Sequence, residues 1–171
     1  MRKIFLLSDT HSHWNEEWIK YIQNADEIWH AGDIGNAQWI HQLQTLAQQK
    51  TLRLVYGNID GQDVRIQTKE HLYFELEGFK VLIIHIAGSF GKYNSLTKQL
   101  IHKYSPNILV CGHSHILKIQ FDKTFNLWYI NPGAAGIYGF HKVSTALFFE
   151  LHQGKIQNMN VIEWTKSLHH S

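Results

Sequence analysis

Five short apolar runs, each followed within a few positions by a side chain able to hold a metal ion, constrain this chain more than any other feature. The runs are Ile4 to Leu7, Ile28 to Trp29, Leu52 to Tyr56, Val81 to Ile84 and Ile108 to Val110, most with the β-branched or aromatic bias of buried strands. Asp9 and His11 follow the first run, Asp33 the second, Asn58 the third, His85 the fourth, and His113 and His115 the fifth. In an open α/β sheet the carboxyl ends of such strands share one edge, so these side chains should converge there. Glycine stands before three of them, in Gly32-Asp33, Gly57-Asn58 and Gly112-His113. Without a β-carbon the chain can turn sharply close to a bound ion.

Between the runs lie stretches with helical spacing: Trp14, Trp18, Tyr21 and Ile22, then Trp39, Ile40, Leu43 and Leu46, then Leu96, Leu100, Ile101 and Tyr104. The first half therefore alternates strand and helix. After Ser114 the pattern turns strand-rich, with Leu117 to Phe121, Leu127 to Ile130, Ala146 to Leu151 and Ile156 to Glu163 joined by turns at Asp122-Lys123 and Gln153-Gly154. That half reads as antiparallel. Gly61 to Gly78 mixes charge with one alternating run, His71 to Leu76, and fits either a hairpin or an irregular loop. No repeat, low-complexity tract or linker divides the chain, and at 171 residues one domain spanning 1–171 is expected. Leu168-His169-His170-Ser171 reads as a frayed end whose histidines are not counted as ligands.

Composition narrows the function classes. A net charge of +2 with scattered Lys and Arg gives no basic stripe for duplex nucleic acid. No apolar segment approaches the roughly 20 residues a bilayer span needs, and polar Ser8, Asp9 and His11 cut the first run too short for a secretory signal. Cys111 is the only cysteine, so no intramolecular disulfide can form, and a reducing, cytoplasmic setting without membrane attachment is expected. Histidine is the unusual component, 13 residues against 14 acidic ones without a repetitive tract, which directs attention to metal ligation.

Carboxylate and amide oxygens with imidazole nitrogens, and no thiolate, suit manganese, iron, zinc or nickel rather than a structural zinc finger. Cys111 is assigned to packing. Seven ligands exceed one tetrahedral ion, whereas a carboxylate can bridge two ions about 3.5 to 4 Å apart, and Asp33 is the candidate bridge. Asp9-Thr10-His11, Gly32-Asp33, Gly57-Asn58-Ile59-Asp60, His85 and Gly112-His113-Ser114-His115 resemble, in order and spacing, the motifs of the calcineurin-like metallophosphoesterases. Small size and Asn131-Pro132-Gly133 resemble the compact bacterial and archaeal phosphodiesterase branch. The resemblance spans roughly Met1 to Gly133, and five motifs in order are a specific signal where any one alone is weak.

This resemblance implies an α/β fold, a single-domain α-β-β-α sandwich of two mixed β-sheets flanked by helices, with the metal site at the C-terminal strand ends. It implies one ion on Asp9, His11, Asp33 and His115 and a second on Asp33, Asn58, His85 and His113. Manganese is the expected metal, with nickel, iron or zinc as alternatives. The implied activity is hydrolysis of small phosphodiesters by in-line attack of a hydroxide bridging the ions. No protein nucleophile is required, and neither a Ser-His-Asp set nor a phosphate-binding P-loop is found.

Two motifs depart from the family pattern. Ile59 stands where many members carry a proton-donating histidine, which leaves the general acid unassigned and predicts slow turnover of poor leaving groups. After His85 the usual glycine lies two places downstream, in His85-Ile86-Ala87-Gly88, so Lys92 and Tyr93 become candidate substrate contacts on a glycine-hinged loop. Ala134 replaces the serine usual in the branch. His30 and Asp60 are candidates to orient the ligands, with a plain buried histidine and an Asx turn as the alternatives. His13 either reaches the site mouth or flanks the helix near Trp14, Gly136 to Lys142 could fold over the site with His141, and Trp18 and Trp39 are assigned to packing.

The rival reading is an interaction scaffold of the retromer-subunit type, which shares the fold but lacks a ligand histidine in its second site. Here His85 and His113 are both present, which favours an enzyme. A repair nuclease of the same superfamily would bring a capping domain and the missing histidine. Cyclic nucleotides, other small diesters and some monoesters all stay open as substrates, because loops and pocket shape set specificity.

Overall fold

Strand β1 (Arg2–Leu7) is buried on both faces, with Ile4 and Leu6 in one apolar layer and Phe5 and Leu7 in another. Such two-sided burial is why its sequence reads as a continuous apolar run rather than an alternating one. A computed structural model describes residues 1–166. After β1 come α1 (Trp18–Asn24), β2 (Glu27–His30), α2 (Ala37–Ala47), β3 (Thr51–Leu54), α3 (Gln62–Arg65), β4 (His71–Leu76) and β5 (Phe79–Ile84). Next are β6 (Gly88–Ser89), β7 (Lys92–Tyr93), α4 (Ser95–Tyr104) and β8 (Ile108–Val110). The chain continues through β9 (Leu117–Asp122), β10 (Leu127–Pro132), β11 (Val143–His152) and β12 (Lys155–Thr165).

Two five-stranded mixed sheets result, in the orders β12-β11-β1-β2-β3 and β4-β5-β8-β10-β9. Each contains three adjacent parallel strands, β1, β2 and β3 in one and β5, β8 and β10 in the other. Three apolar layers define the stacking. Trp18, Ile22, Ile40 and Leu43 join α1 and α2 to the first sheet, Ile4, Leu6, Trp29, Val81 and Ile83 fill the space between sheets, and Leu82, Leu100, Ile101 and Leu109 join the second sheet to α4. The architecture is the expected α-β-β-α sandwich, and truncating Leu6 to alanine in its middle layer would cost about 2–5 kcal/mol. No helix among the described residues is long and apolar enough to cross a membrane.

Helices α2 and α4 start where Asn36 and Asn94 accept hydrogen bonds from the backbone N–H groups of Trp39 and Thr97, at 2.9 and 2.8 Å. The first helix is shorter than the spacing from Trp14 predicts. Asn15 Oδ1 accepts from the Glu17 N–H at 2.9 Å, a local turn that delays helix entry and leaves Trp14 packed edge-on against Trp18 and Trp39. Gly61 to Gly78 holds both α3 and a hairpin. Strands β4 and β5 meet at Glu77-Gly78, where φ is 51° and 82°, the two-residue turn that matches strand twist. The end comprising Leu168 to Ser171 lies outside the described residues.

Candidate metal centre

The parallel strands deliver the ligands. Asp9 and His11 lie beyond β1, Asp33 beyond β2 and Asn58 beyond β3, while His85 immediately follows β5 and His113 and His115 follow β8. The sheets thus contribute from both sides of the sandwich, not from one open edge. All seven predicted residues meet. Asp9, His11 and His115 form one group whose ligand atoms lie within 4.8 Å of one another, and Asp33, His85 and His113 form a second. Asn58 joins the second group, its Oδ1 lying 3.2 Å from His85 Nε2 and 2.9 Å from His113 Nδ1.

Asp33 faces both groups. Its Oδ2 lies 3.6 Å from His11 Nε2 and its Oδ1 3.3 Å from His85 Nε2. Backbone strain concentrates here: Asp9, His11, Asp33, His113 and His115 all have φ between 47° and 68°. Non-glycine residues adopt that left-handed region only at a cost of order 1–3 kcal/mol each, so the surrounding contacts must hold them there.

The donors fit divalent cations. Asp9 Oδ1 and His11 Nε2 are buried and find no hydrogen-bond partner among the described residues, an expensive state for polar atoms unless a cation completes it. His85 Nδ1 lies 2.7 Å from the Ala31 carbonyl oxygen, which can only accept, so Nδ1 carries the proton and Nε2 is left to face the group. Burial pushes the Asp33 carboxyl pKa up, but its hydrogen bond to His85, the His85 charge, the Ile59 N–H and the His11 charge outweigh that and hold it below the usual range. Cys111 stays out of the set, buried, its thiol pushed up to about 12 by that burial.

A buttress surrounds the ligands. Ser8 Oγ and the His113 N–H donate to Asp9 Oδ2 at 2.6 and 3.1 Å, leaving Oδ1 to the group. Buried Asp60 takes three backbone N–H groups, from Gly57, Ile34 and Gly35 at 2.7, 3.2 and 2.8 Å, and so ties the second motif to the third. His30 holds the residues beside the ligands rather than the ligand side chains: Nδ1 accepts from the Gly32 N–H at 3.1 Å and Nε2 lies 2.9 Å from the Thr10 hydroxyl Oγ1. Burial lowers its pKa to about 3, so this imidazole is neutral. Asn131 donates to the Gly112 carbonyl at 2.9 Å and to Ser114 Oγ at 3.1 Å, fixing the last motif. Neither Ser8 nor Asn131 was assigned from sequence; the hydroxyl beside Asp9 was the available signal for the first.

Several expectations change. The motif glycines make room for neighbouring side chains: a β-carbon at Gly32, which also turns at φ 100°, would lie 2.6 Å from His85 Cγ, one at Gly57 would overlap Asp33 Oδ1, and one at Gly112 would overlap Ser8 Oγ. Tyr93 is no substrate contact, because it is buried with its hydroxyl donating to Asp122 Oδ2 at 2.7 Å. Lys92 is exposed on β7 and lines neither cleft beside the second group; the cations there are Arg65 and Lys118. His13 packs edge-on against Trp18 and accepts from Trp39 Nε1 at 2.8 Å through its carbonyl, so it belongs to the tryptophan cluster. Gly136 to Lys142 does fold over the first group, with the Tyr138 ring 6.2 Å from His11 and the His141 ring 5.4 Å from His115. Ile59 is 46% exposed, and its contribution is its N–H, donated to Asp33 Oδ1 at 3.1 Å. Ala134 is buried.

Residues 2–154 match the calcineurin-like phosphoesterase superfamily domain, and the chain belongs to that family. A probable metallophosphoesterase of Methanothermobacter thermautotrophicus, strain Delta H, is 30% identical over 139 residues, covering 77% of this chain and 76% of the relative. Among solved structures, a novel archaeal phosphodiesterase superposes with TM-score 0.69 at 21% identity, covering 94% of this chain and 99% of that one. Chaetomium thermophilum Vps29 superposes with TM-score 0.75 at 11% identity, over 96% and 98% of the two chains. Vps29 of Entamoeba histolytica complexed with zinc gives 0.69 at 12%, over 95% and 98%. At these identities the structures establish a shared fold. Family and ligand groups together imply divalent metal binding.

Proposed function

We propose that this chain is a dinuclear metal-dependent phosphodiesterase acting on small-molecule diesters. The observation that carries this reading is the pair of ligand groups with the Asp33 carboxylate turned toward both. One ion would sit on Asp9, His11, Asp33 and His115, the other on Asp33, Asn58, His85 and His113, with manganese the expected metal and nickel, iron or zinc the alternatives. Bound there, two divalent cations would supply Lewis acidity toward phosphoryl oxygens and lower the pKa of water toward neutrality. The protein's own part is orientation: Ser8 aims Asp9, the Ala31 carbonyl aims His85, and the Ile59 N–H holds Asp33. No side chain at position 59 can protonate a leaving group, so activated aryl esters should turn over faster than alkyl esters. A free, buried Cys111 accords with a reducing, cytoplasmic setting.

The second reading is an interaction scaffold, favoured by the Vps29 proteins among the structural relatives. Metal analysis followed by hydrolysis assays separates the two. The enzyme reading expects about two ions per chain and cleavage of bis(4-nitrophenyl) phosphate that stops on chelation and returns with manganese, nickel or zinc. Full metal loading without turnover of diesters or monoesters under any of these metals supports the scaffold.

A further inference from the structure

Three ligand motifs are each followed at once by an aliphatic side chain that the fold leaves in solvent: Ile59 after Asn58, Ile86 after His85 and Ile116 after His115, the last two 39% and 64% exposed. Scattered exposed apolar residues need no account, but three ringing one polar centre do. Ile86 divides two clefts. On one side lies a cleft of about 350 Å³ reaching Asn58 and His85, with Tyr56, Arg65, Asn94 and Leu96 in its wall. On the other lies one of about 360 Å³ reaching His113, walled by Ile86, Phe90, Ile116, Lys118 and Tyr129. Both volumes fall in the range of small-ligand sites, and a phosphoryl group at the second ligand group would have one cleft on each flank.

The second cleft is built by the departure noted after His85. Gly88, at φ 89°, turns the chain into the β6–β7 hairpin, and a β-carbon there would lie 2.7 Å from the Lys92 carbonyl oxygen. Phe90, between β6 and β7, stands edge-on to Tyr129 at 5.7 Å, and Lys118 Nζ lies 4.8 Å from its ring. Aliphatic walls, a half-buried aromatic ring and one cation suit a flat apolar ring, whose edge can meet an aromatic face and whose electron-rich face can meet the cation.

We infer that the Ile86, Phe90 and Ile116 cleft is the subsite for one ester arm of the substrate, and that this arm is aromatic, an aryl or nucleobase-like ring. The inference rests on the phosphodiesterase reading and narrows it to diesters with at least one aromatic arm, the other arm lying toward Arg65.

Calorimetric titration of the full chain loaded with zinc, using diphenyl phosphate and dimethyl phosphate, tests it. Diphenyl phosphate is expected to bind at least about tenfold more tightly. Phe90→Ala should remove about tenfold of that preference while the dimethyl Kd stays within about twofold, and Ile116→Ala, at a position too exposed to unfold the chain, should lower it about threefold in the same sense. Equal affinity for the two diesters, or variants that weaken both alike or neither, would overturn the assignment. Ring-selective binding lost in Phe90→Ala but without hydrolysis of any diester supports the cleft and removes the phosphodiesterase reading. Hydrolysis without Phe90-dependent selectivity does the reverse.

Discussion

The two ligand groups both face Asp33 yet are built differently. Asp9, His11 and His115 all sit in left-handed backbone, Asp9 is wholly buried, and the 136–142 segment covers the histidines, so closely that a β-carbon at Gly139 would lie 2.6 Å from His115 Nδ1. In the second group His113 is left-handed too but His85 has ordinary backbone, and Asn58 and His113 are exposed at the heads of two clefts. On the proposed reading the enclosed group would hold its ion tightly and the open group would meet the substrate, since enclosure excludes water and strengthens each ligand contact while openness would admit a phosphoryl group.

Asp33→Ala would test the shared element and carries the largest expected effect. Because both groups lose a ligand, metal content should fall toward zero and kcat/KM by at least about a thousandfold, the loss seen when one charge-stabilising group is removed from a preorganised site. One ion retained with near-normal affinity would show that the groups do not depend on the bridge. His113→Ala isolates the open group. Metal stoichiometry after dialysis should drop from two to one, the enclosed ion staying bound, and unchanged stoichiometry would contradict the ligand assignment.

His30 is common to both groups, bracing Thr10 beside Asp9 and Gly32 beside Asp33. Its folded-state pKa, about 3, lies below the unfolded value near 6.5. Below pH 6.5 the unfolded chain therefore takes up a proton that the native chain refuses. Stability is fully present above that pH and declines by about 1.4 kcal/mol per unit as pH falls toward 3. Urea unfolding of metal-free protein at pH 7 and pH 5 should show this slope, reduced by that amount in His30→Asn; parallel slopes would mean that His30 titrates normally. The smallest effect is expected for Ser8→Ala, which frees Asp9 Oδ2 from one donor. Affinity for the first ion should weaken about tenfold while the second is unchanged, measured by competition with a chromogenic chelator.

The ligands were legible because each follows a short apolar run, and a parallel strand buried on both faces announces its own end by the first polar residues after it. The helices over Trp39 and Leu100 were legible for a similar reason, a 3.6-residue stripe facing one sheet. Trp14 misled because Asn15 closes a turn that periodicity does not register. Tyr93 misled because a glycine-hinged loop beside a ligand can turn a side chain either way, and here the buried Asp122 carboxylate accepts its hydroxyl hydrogen bond.

By itself the sequence determined the ligand chemistry and the alternation of strand and helix, since both are properties of residue type and local period. Tertiary structure alone decided which ligands share a group, which hydroxyls and amides brace them, and that Ile86 separates two clefts. Those facts are distances between residues remote in the chain: the His113 N–H that braces Asp9 comes from 104 positions away. Local pattern carries no information on such a separation until the two sheets pack and bring their strand ends together.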